Sequence, residues 1–165
     1  MTISAPTLQD FEAVNDVLAS AFGNTGEVEL VQGLRTDDAM AAEFIDCRNG
    51  VPVGHIAFSP LSGGVDLFAL APLAVRPDWQ RQGVGTGLVH HGLDHGRRAG
   101  WKGIYVLGNP AYYRRFGFSQ AKAKGVDSPY AGDHFMAMEL VENGLDDVTG
   151  PLRHAAIFQQ LEGDV

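Results

Sequence analysis

The run VDLFALAPLAV, followed at once by RPDWQRQGVGTG, constrains this chain more than any other stretch. A nearly all-apolar run reads as a central β-strand covered on both faces. Pro72 sits inside it. Proline has no N–H to give to a ladder, so the strand must carry a bulge or part from its neighbour there. The polar, glycine-bearing loop that follows is a poor place to bury apolar surface and a good place to expose backbone N–H groups. With a helix from Val84 to Ala99 behind it, the order strand, tight loop, helix gathers unpaired donors at a helix N-terminus. An anion binds there through donors and dipole together. Gly83 and Gly85 let a phosphate approach the backbone, which a side chain would prevent. Gln80 and Arg81 can close over it from the side.

Two familiar phosphate motifs fail on these residues. A P-loop needs Gly, four residues and then Gly-Lys-Ser/Thr, and no lysine lies near. A dinucleotide fingerprint needs G-x-G-x-x-G, but Leu88 stands where its third glycine belongs, and IYVLGN ends in Asn109 where an acidic residue is needed.

The rest of the chain supplies further strands and helices. Thr2–Ser4 is a short β-prone start, Thr7 is an N-cap with Asp10 in its first turn, and Leu8, Phe11, Val14, Leu18 and Phe22 recur at helical spacing up to Gly23. A second helix is expected from Glu27 to Arg35. EFIDCR and VPVGHIAFSPL flank Asn49-Gly50, a strong hairpin turn. On the long helix Gly85, Gly92 and Gly96 fall on one arc, which predicts close approach to the sheet. Then come a strand GIYVLG, a helix opened by Asn109-Pro110 over AYYRRFGF, a strand HFMAMEL and a tail with a helix near Arg153 to Leu161.

The pattern that does fit is Q/R-x-x-G-x-G/A directly after LAPLAVRPD, with GNPAYYRRFGF farther on. On these two segments the sequence resembles the GNAT superfamily of acyl-CoA N-acyltransferases. In particular it is similar to a bacterial acetyltransferase subgroup marked by a G-D/N-P-x-Y-Y-x-x-F-G-F run. The resemblance spans roughly residues 2–141 and leaves the tail 142–165 unassigned. It implies one α/β domain over residues 1–165 with the GNAT-type fold, a mixed central sheet splayed between strands 4 and 5 and flanked by helices.

That resemblance implies an N-acetyltransferase moving the acetyl group of acetyl-CoA, its co-substrate, to a primary amine by direct attack, with no metal. Backbone groups of Leu73, Ala74 and Val75 would hold the pantetheine arm like an added strand. The loop residues Gln80, Arg81, Gln82, Gly83, Val84, Gly85 and Thr86 would hold the pyrophosphate. Asn109 and Tyr112 would add contacts to the same cofactor. Tyr113 matches the tyrosine that protonates the departing thiolate in many relatives, with Tyr112 its rival at a register shift of one.

An amine with the ordinary lysine pKa of ~10.4 is free base only about once in a few thousand molecules at pH 7, so a base or water must assist. Many relatives place a glutamate on the fourth strand, and Phe68–Val75 contains no carboxylate. Glu29 on the second helix, His55 on the third strand, Asp66 and a water relay stay open. Arg114 and Arg115 read as a solvated helix face, though one could reach the cofactor's phosphates. His91 and His95, spaced i, i+4, could grip a metal but have no evident third ligand, so a solvated face is preferred.

The chain carries a net charge of −8, with 20 acidic residues against 12 Lys and Arg, which argues against nucleic acid and for a cationic small-molecule or peptide amine as acceptor. With its single cysteine, Cys47, it can form no intrachain disulfide, and that side chain reads as a small buried hydrophobe. No run reaches the ~18 to 20 apolar residues that span a bilayer, and the N-terminus lacks a signal core, so a cytoplasmic, non-membrane protein is expected. A homodimer stays open, as does a non-catalytic acyl-CoA-binding module. A nicotinamide-dependent oxidoreductase is disfavoured by the failed fingerprint. The acceptor is expected to enter beside the second helix and the Asn49 hairpin, opposite the phosphate loop.

Overall fold

The structure, a computed structural model, describes residues 2–148 and 150–163. Strand β1 (Thr2–Ser4) leads through a 3-10 turn into α1 (Phe11–Phe22), followed by α2 (Gly26–Thr36). Then come β2 (Ala42–Arg48), β3 (Val51–Pro60), β4 (Leu67–Val75) and α3 (Val84–Ala99). The chain continues through β5 (Gly103–Leu107), the short helices α4 (Pro110–Tyr113) and α5 (Gln120–Ala123), β6 (Phe135–Glu139) and α6 (Ala156–Gly163). The six strands form one sheet in chain order, antiparallel throughout except for the parallel pair β4–β5. Of the tail, Thr149, Asp164 and Val165 lie outside the described residues, and the helix expected near residues 153–161 is Ala156–Gly163.

Local chemistry sets these boundaries. The Asp10 carboxylate accepts from the Thr7 N–H at 2.8 Å and from its hydroxyl at 3.1 Å, opening the turn before α1. Gly23 ends α1 at φ 73°, a left-handed conformation that costs glycine little. On α3 Gly92 meets the sheet as the glycine arc implies, whereas Gly85 lies under the Tyr112 hydroxyl. A Cβ at Gly92 would collide with the Phe58 ring on β3, and one at Gly96 would lie 2.7 Å from Trp101 Cε3. The helix therefore sits tight against the sheet, with its own Leu88 and Val89 and the β3 residues Ile56 and Phe58 all fully buried.

Pro72 marks the break in the sheet. Leu70 pairs with Phe58 and Leu73 with Ile56, so Ala71 and Pro72 together oppose the single residue Ala57. That is a bulge. On the other side β4 pairs with β5 only from Leu67 to Leu70. Beyond Leu70 the last turn of β4 keeps one neighbour and loses the other.

The opposite face of β2–β4 is covered by α1 and α2, with Val14, Val17, Leu18, Val31, Ile45 and Ala74 in one buried cluster. Half-buried Cys47 packs at its margin, so it is less enclosed than its apolar surroundings in sequence suggested. Burial and the nearby Asp10 and Asp46 push its thiol pKa up. Under this layer lies an ionic triad. Arg35 donates through Nε to Glu43 Oε1 at 2.8 Å and through Nη2 to Oε2 at 2.9 Å, while His55 Nε2 lies 2.8 Å from Oε2. The Arg35 guanidinium also stacks 3.6 Å over the Phe11 ring, tying α1 and α2 to the strands.

Burial works to raise the Glu43 pKa, but the hydrogen bonds and charge from His55 and Arg35 outweigh it and hold the carboxyl at about 2, against an ordinary 4.5. Burial pulls His55 below its ordinary 6.5, against the Glu43 hydrogen bond, so we take it as neutral and donating from Nε2. Both folded pKa values are depressed, so both contributions are present at neutral pH and fade on acidification. The His55 contribution starts to fade as pH falls below 6.5, and that of Glu43 between 4.5 and about 2. Removing Glu43 leaves Arg35 partly buried without its partner, so Glu43→Ala should cost about 3 kcal/mol in urea unfolding at pH 7. The deficit should shrink as pH falls toward 3. A variant as stable as the parent at pH 7 contradicts the triad's role.

Candidate active site

The break after Leu70 leaves one edge of β4 without a strand partner. The Arg76 N–H donates to Val53 O at 2.9 Å, so by strand alternation Ala74 also turns its backbone to β3, while Leu73 and Val75 turn theirs to the gap. The Val75 carbonyl accepts from Gln80 Nε2 at 3.1 Å, in keeping with that direction. Ala74 was expected to bind cofactor with its neighbours. It does not reach the gap, because its backbone belongs to the β3 ladder and its side chain to the buried cluster under α1.

Below the gap lies the N-terminus of α3. Gly83 caps it at φ 85° and Arg81 sits at φ 61°, a left-handed conformation uncommon outside glycine. A Cβ on Gly83 would meet nothing within 4 Å, so the position needs glycine for its conformation rather than for space within the protein. A bulky side chain there is therefore not structurally silent. Val84 is buried against Gly54, and the Gln82 side chain donates outward to Asp78 O at 3.0 Å. These two expected binding residues offer an anion only their main chain.

The far wall is the turn from β5 into α4. Asn109 caps α4, its Oδ1 accepting from the Ala111 N–H at 3.0 Å, which leaves its Nδ2 for a ligand. The two tyrosines separate spatially. The Tyr112 hydroxyl overhangs the first turn of α3, 2.6 Å from where a Gly85 Cβ would stand. The Tyr113 ring lies on Gly108 at the end of β5, with Cε2 2.6 Å from a Cβ position there, and meets Phe118 edge-on. Burial, with a smaller contribution from Tyr112, pushes the Tyr113 hydroxyl pKa well above its ordinary 10. It therefore carries its proton throughout the neutral range.

These walls enclose a cavity of about 740 Å³. Leu73, Val75, Gln80, Arg81, Gly83, Gly85 and Thr86 line one side, and Asn109, Tyr112, Tyr113 and Arg115 the other. Of Arg114 and Arg115, read from sequence as a solvated face from which one could reach the cofactor's phosphates, it is Arg115 that stands on this wall, because residues 112 and 115 fall on the same side of a continuous helical turn. Their three-residue spacing was the available signal.

The structure does not bring the base candidates to the cavity. Glu29 is exposed on the first turn of α2. His55 is fully buried in the triad with Glu43. Asp66 sits at the opposite end of β4, its carbonyl accepting from the N–H groups of Lys102 and Gly103. The Asn49-Gly50 hairpin lies at the same sheet end as the loop, with Arg48 5.3 Å from the Trp79 ring centroid, so it does not border an entrance opposite that loop. His91 and His95 pack edge-on against Phe44, and no cluster of three or more potential metal ligands occurs among the described residues. No described helix is long and apolar enough to cross a membrane.

Known proteins share this arrangement. The sequence model of the acetyltransferase (GNAT) family matches residues 11–118. The N-acetyltransferase YhbS of Escherichia coli K12 is 31% identical over 157 residues, covering 92% of this chain and 94% of its own. Escherichia coli YjhQ, also named an N-acetyltransferase, is 37% identical over 129 residues, covering 73% and 71%. The crystal structure of Escherichia coli YhbS in complex with CoA superposes with a TM-score of 0.89 at 29% identity, over 96% of this chain and 91% of that one. A Brucella melitensis GNAT acetyltransferase in complex with acetyl-CoA gives 0.81 at 30% identity, over 95% and 97%. The family model spans more than half of the chain and the relatives reach 31% and 37% identity, so the chain belongs to the acetyltransferase (GNAT) family.

Proposed function

We propose that this protein transfers an acetyl group from acetyl-CoA to a primary amine, with the pantetheine arm along the free edge of β4 and the pyrophosphate at the N-terminus of α3. The observation that carries the reading is the cavity itself, which joins an unpaired strand edge, a helix N-terminus and a protonated tyrosine in one space. The residues fit the ligand. Leu73 and Val75 offer main-chain groups to an extended amide chain, and Gly83 to Thr86 offer donors to an anion. Related proteins crystallised with CoA and with acetyl-CoA support the choice of ligand.

Bound acetyl-CoA supplies a thioester whose carbonyl carbon accepts the amine and whose sulfur departs as a thiolate. The chain's own part is to fix that group and to provide a proton. Tyr113 is the donor this geometry favours, because its hydroxyl is protonated and lies toward the end of β5, while Tyr112 points to the phosphate end. No carboxylate lines the cavity among the described residues, so in this reading the proton lost by the amine passes to water. The net charge of −8, with Glu27 and Glu29 in the first turn of α2, favours a cationic acceptor through steering.

Three results test this. Gly85→Ala forces a Cβ against the Tyr112 hydroxyl and narrows the anion site, so CoA affinity by calorimetry should fall about tenfold or more while the melting temperature barely changes. Tyr113→Phe removes one proton and little else. kcat should drop on the order of 100-fold with CoA affinity nearly intact, and an active Tyr113→Phe beside an inactive Tyr112→Phe would reverse the assignment. Finally, acetyl-CoA offered with an amine panel should release thiol with cationic amines. Release only with anionic amines contradicts the steering, and release with none contradicts the transfer.

A further inference from the structure

Within the proposed CoA site, Arg115 is more firmly held than an exposed arginine usually is. Its Nε donates to Tyr112 O at 3.2 Å, and its guanidinium lies 4.2 Å from the Tyr112 ring centroid and 5.1 Å from that of Phe116. Stacking on two rings and spending Nε on the backbone fixes the plane of the group, while both terminal nitrogens keep their donors. Among the described residues no acidic partner lies within salt-bridge distance of it. Side chains of this kind are pre-organised forks for a phosphate.

CoA carries two phosphate groups of different kinds, an internal pyrophosphate and a terminal 3′-phosphomonoester on the ribose. The pyrophosphate has its donors in the main chain of Gly83 to Thr86 and the dipole of α3, with Arg81 on the same loop. Arg115 stands apart from that cluster. It comes from the opposite wall, and it stacks on the ring of Tyr112, whose hydroxyl end reaches over Gly85. Among the described residues, Arg81 and Arg115 are the only cations lining the cavity. In a chain of net charge −8 a dianionic monoester needs a local cation to be held at all.

We propose that Arg115 binds the 3′-phosphate and makes this protein discriminate CoA from 3′-dephospho-CoA. The inference rests on the CoA reading of the cavity and adds the division of labour between its two arginines. Arg114, next in sequence but absent from the cavity wall, plays no part in it.

Calorimetric titrations of the parent protein, Arg115→Gln and Arg114→Gln with CoA and with dephospho-CoA decide the matter. The parent should bind CoA about tenfold more tightly than dephospho-CoA. Arg115→Gln should lose that preference by weakening CoA alone, and Arg114→Gln should keep it. The preference should also narrow between 50 mM and 500 mM salt, as expected of an exposed charge pair. Equal weakening of both ligands in Arg115→Gln would place the guanidinium on the pyrophosphate instead, and no weakening of either would make it a mere brace for Tyr112; both overturn the proposal. A parent protein that binds neither ligand would overturn the CoA reading itself.

Discussion

β4 has two neighbours at its start and one at its end, and the site is built on that difference. A buried strand edge with unpaired N–H and C=O groups is costly unless something pairs with them. Here the cost is met in part by placing a cavity there, where an extended ligand or water can serve as the missing strand. The bulge at Ala71 and Pro72 lets β4 stay bonded to β3 while its other edge leaves β5. The parting also points the end of β4 into the loop that caps α3, so the strand edge and the helix N-terminus face one cavity.

Rigidity around the gap comes from both faces of the sheet. On one face the glycines of α3 draw the helix onto Phe58 and Trp101, and this fixes the position of its N-terminus. On the other, Arg35, Glu43 and His55 bind α1 and α2 to β2 and β3 directly behind Ala74. His55 is therefore a scaffold residue. Its enclosure withdraws it from proton transfer, which leaves Tyr113 as the donor in the proposed reaction.

Much of this was legible in the sequence, and the limits have physical causes. Pro72 announced the break because proline cannot complete a ladder, and the break lies where it stands. Helix α3 runs from Val84 to Ala99 as read, since its caps, Gly83 and Gly100, are both left-handed glycines. Side-chain direction was less legible. Ala74 lies within the right segment, but strand alternation gives its backbone to β3 and its side chain to the core, while Val84 buries its side chain and keeps only its main chain at the loop. Glu29 and His55 are of the right chemical type for a base, and type says nothing of distance. The Glu43–His55 contact spans twelve residues across two strands, and the Arg35–Glu43 pair joins a helix to a strand, so neither has a local sequence signature.

The central claim is that the free edge of β4 and the head of α3 hold one extended anionic ligand. Amide hydrogen exchange of the whole protein, with and without CoA, tests it at the level of single residues. Bound CoA should slow exchange at Leu73, Val75 and Gly83 through Thr86, and leave Ala74 unchanged because its N–H already belongs to the β3 ladder. Protection confined to other parts of the sheet, or none at saturating CoA, would contradict the account.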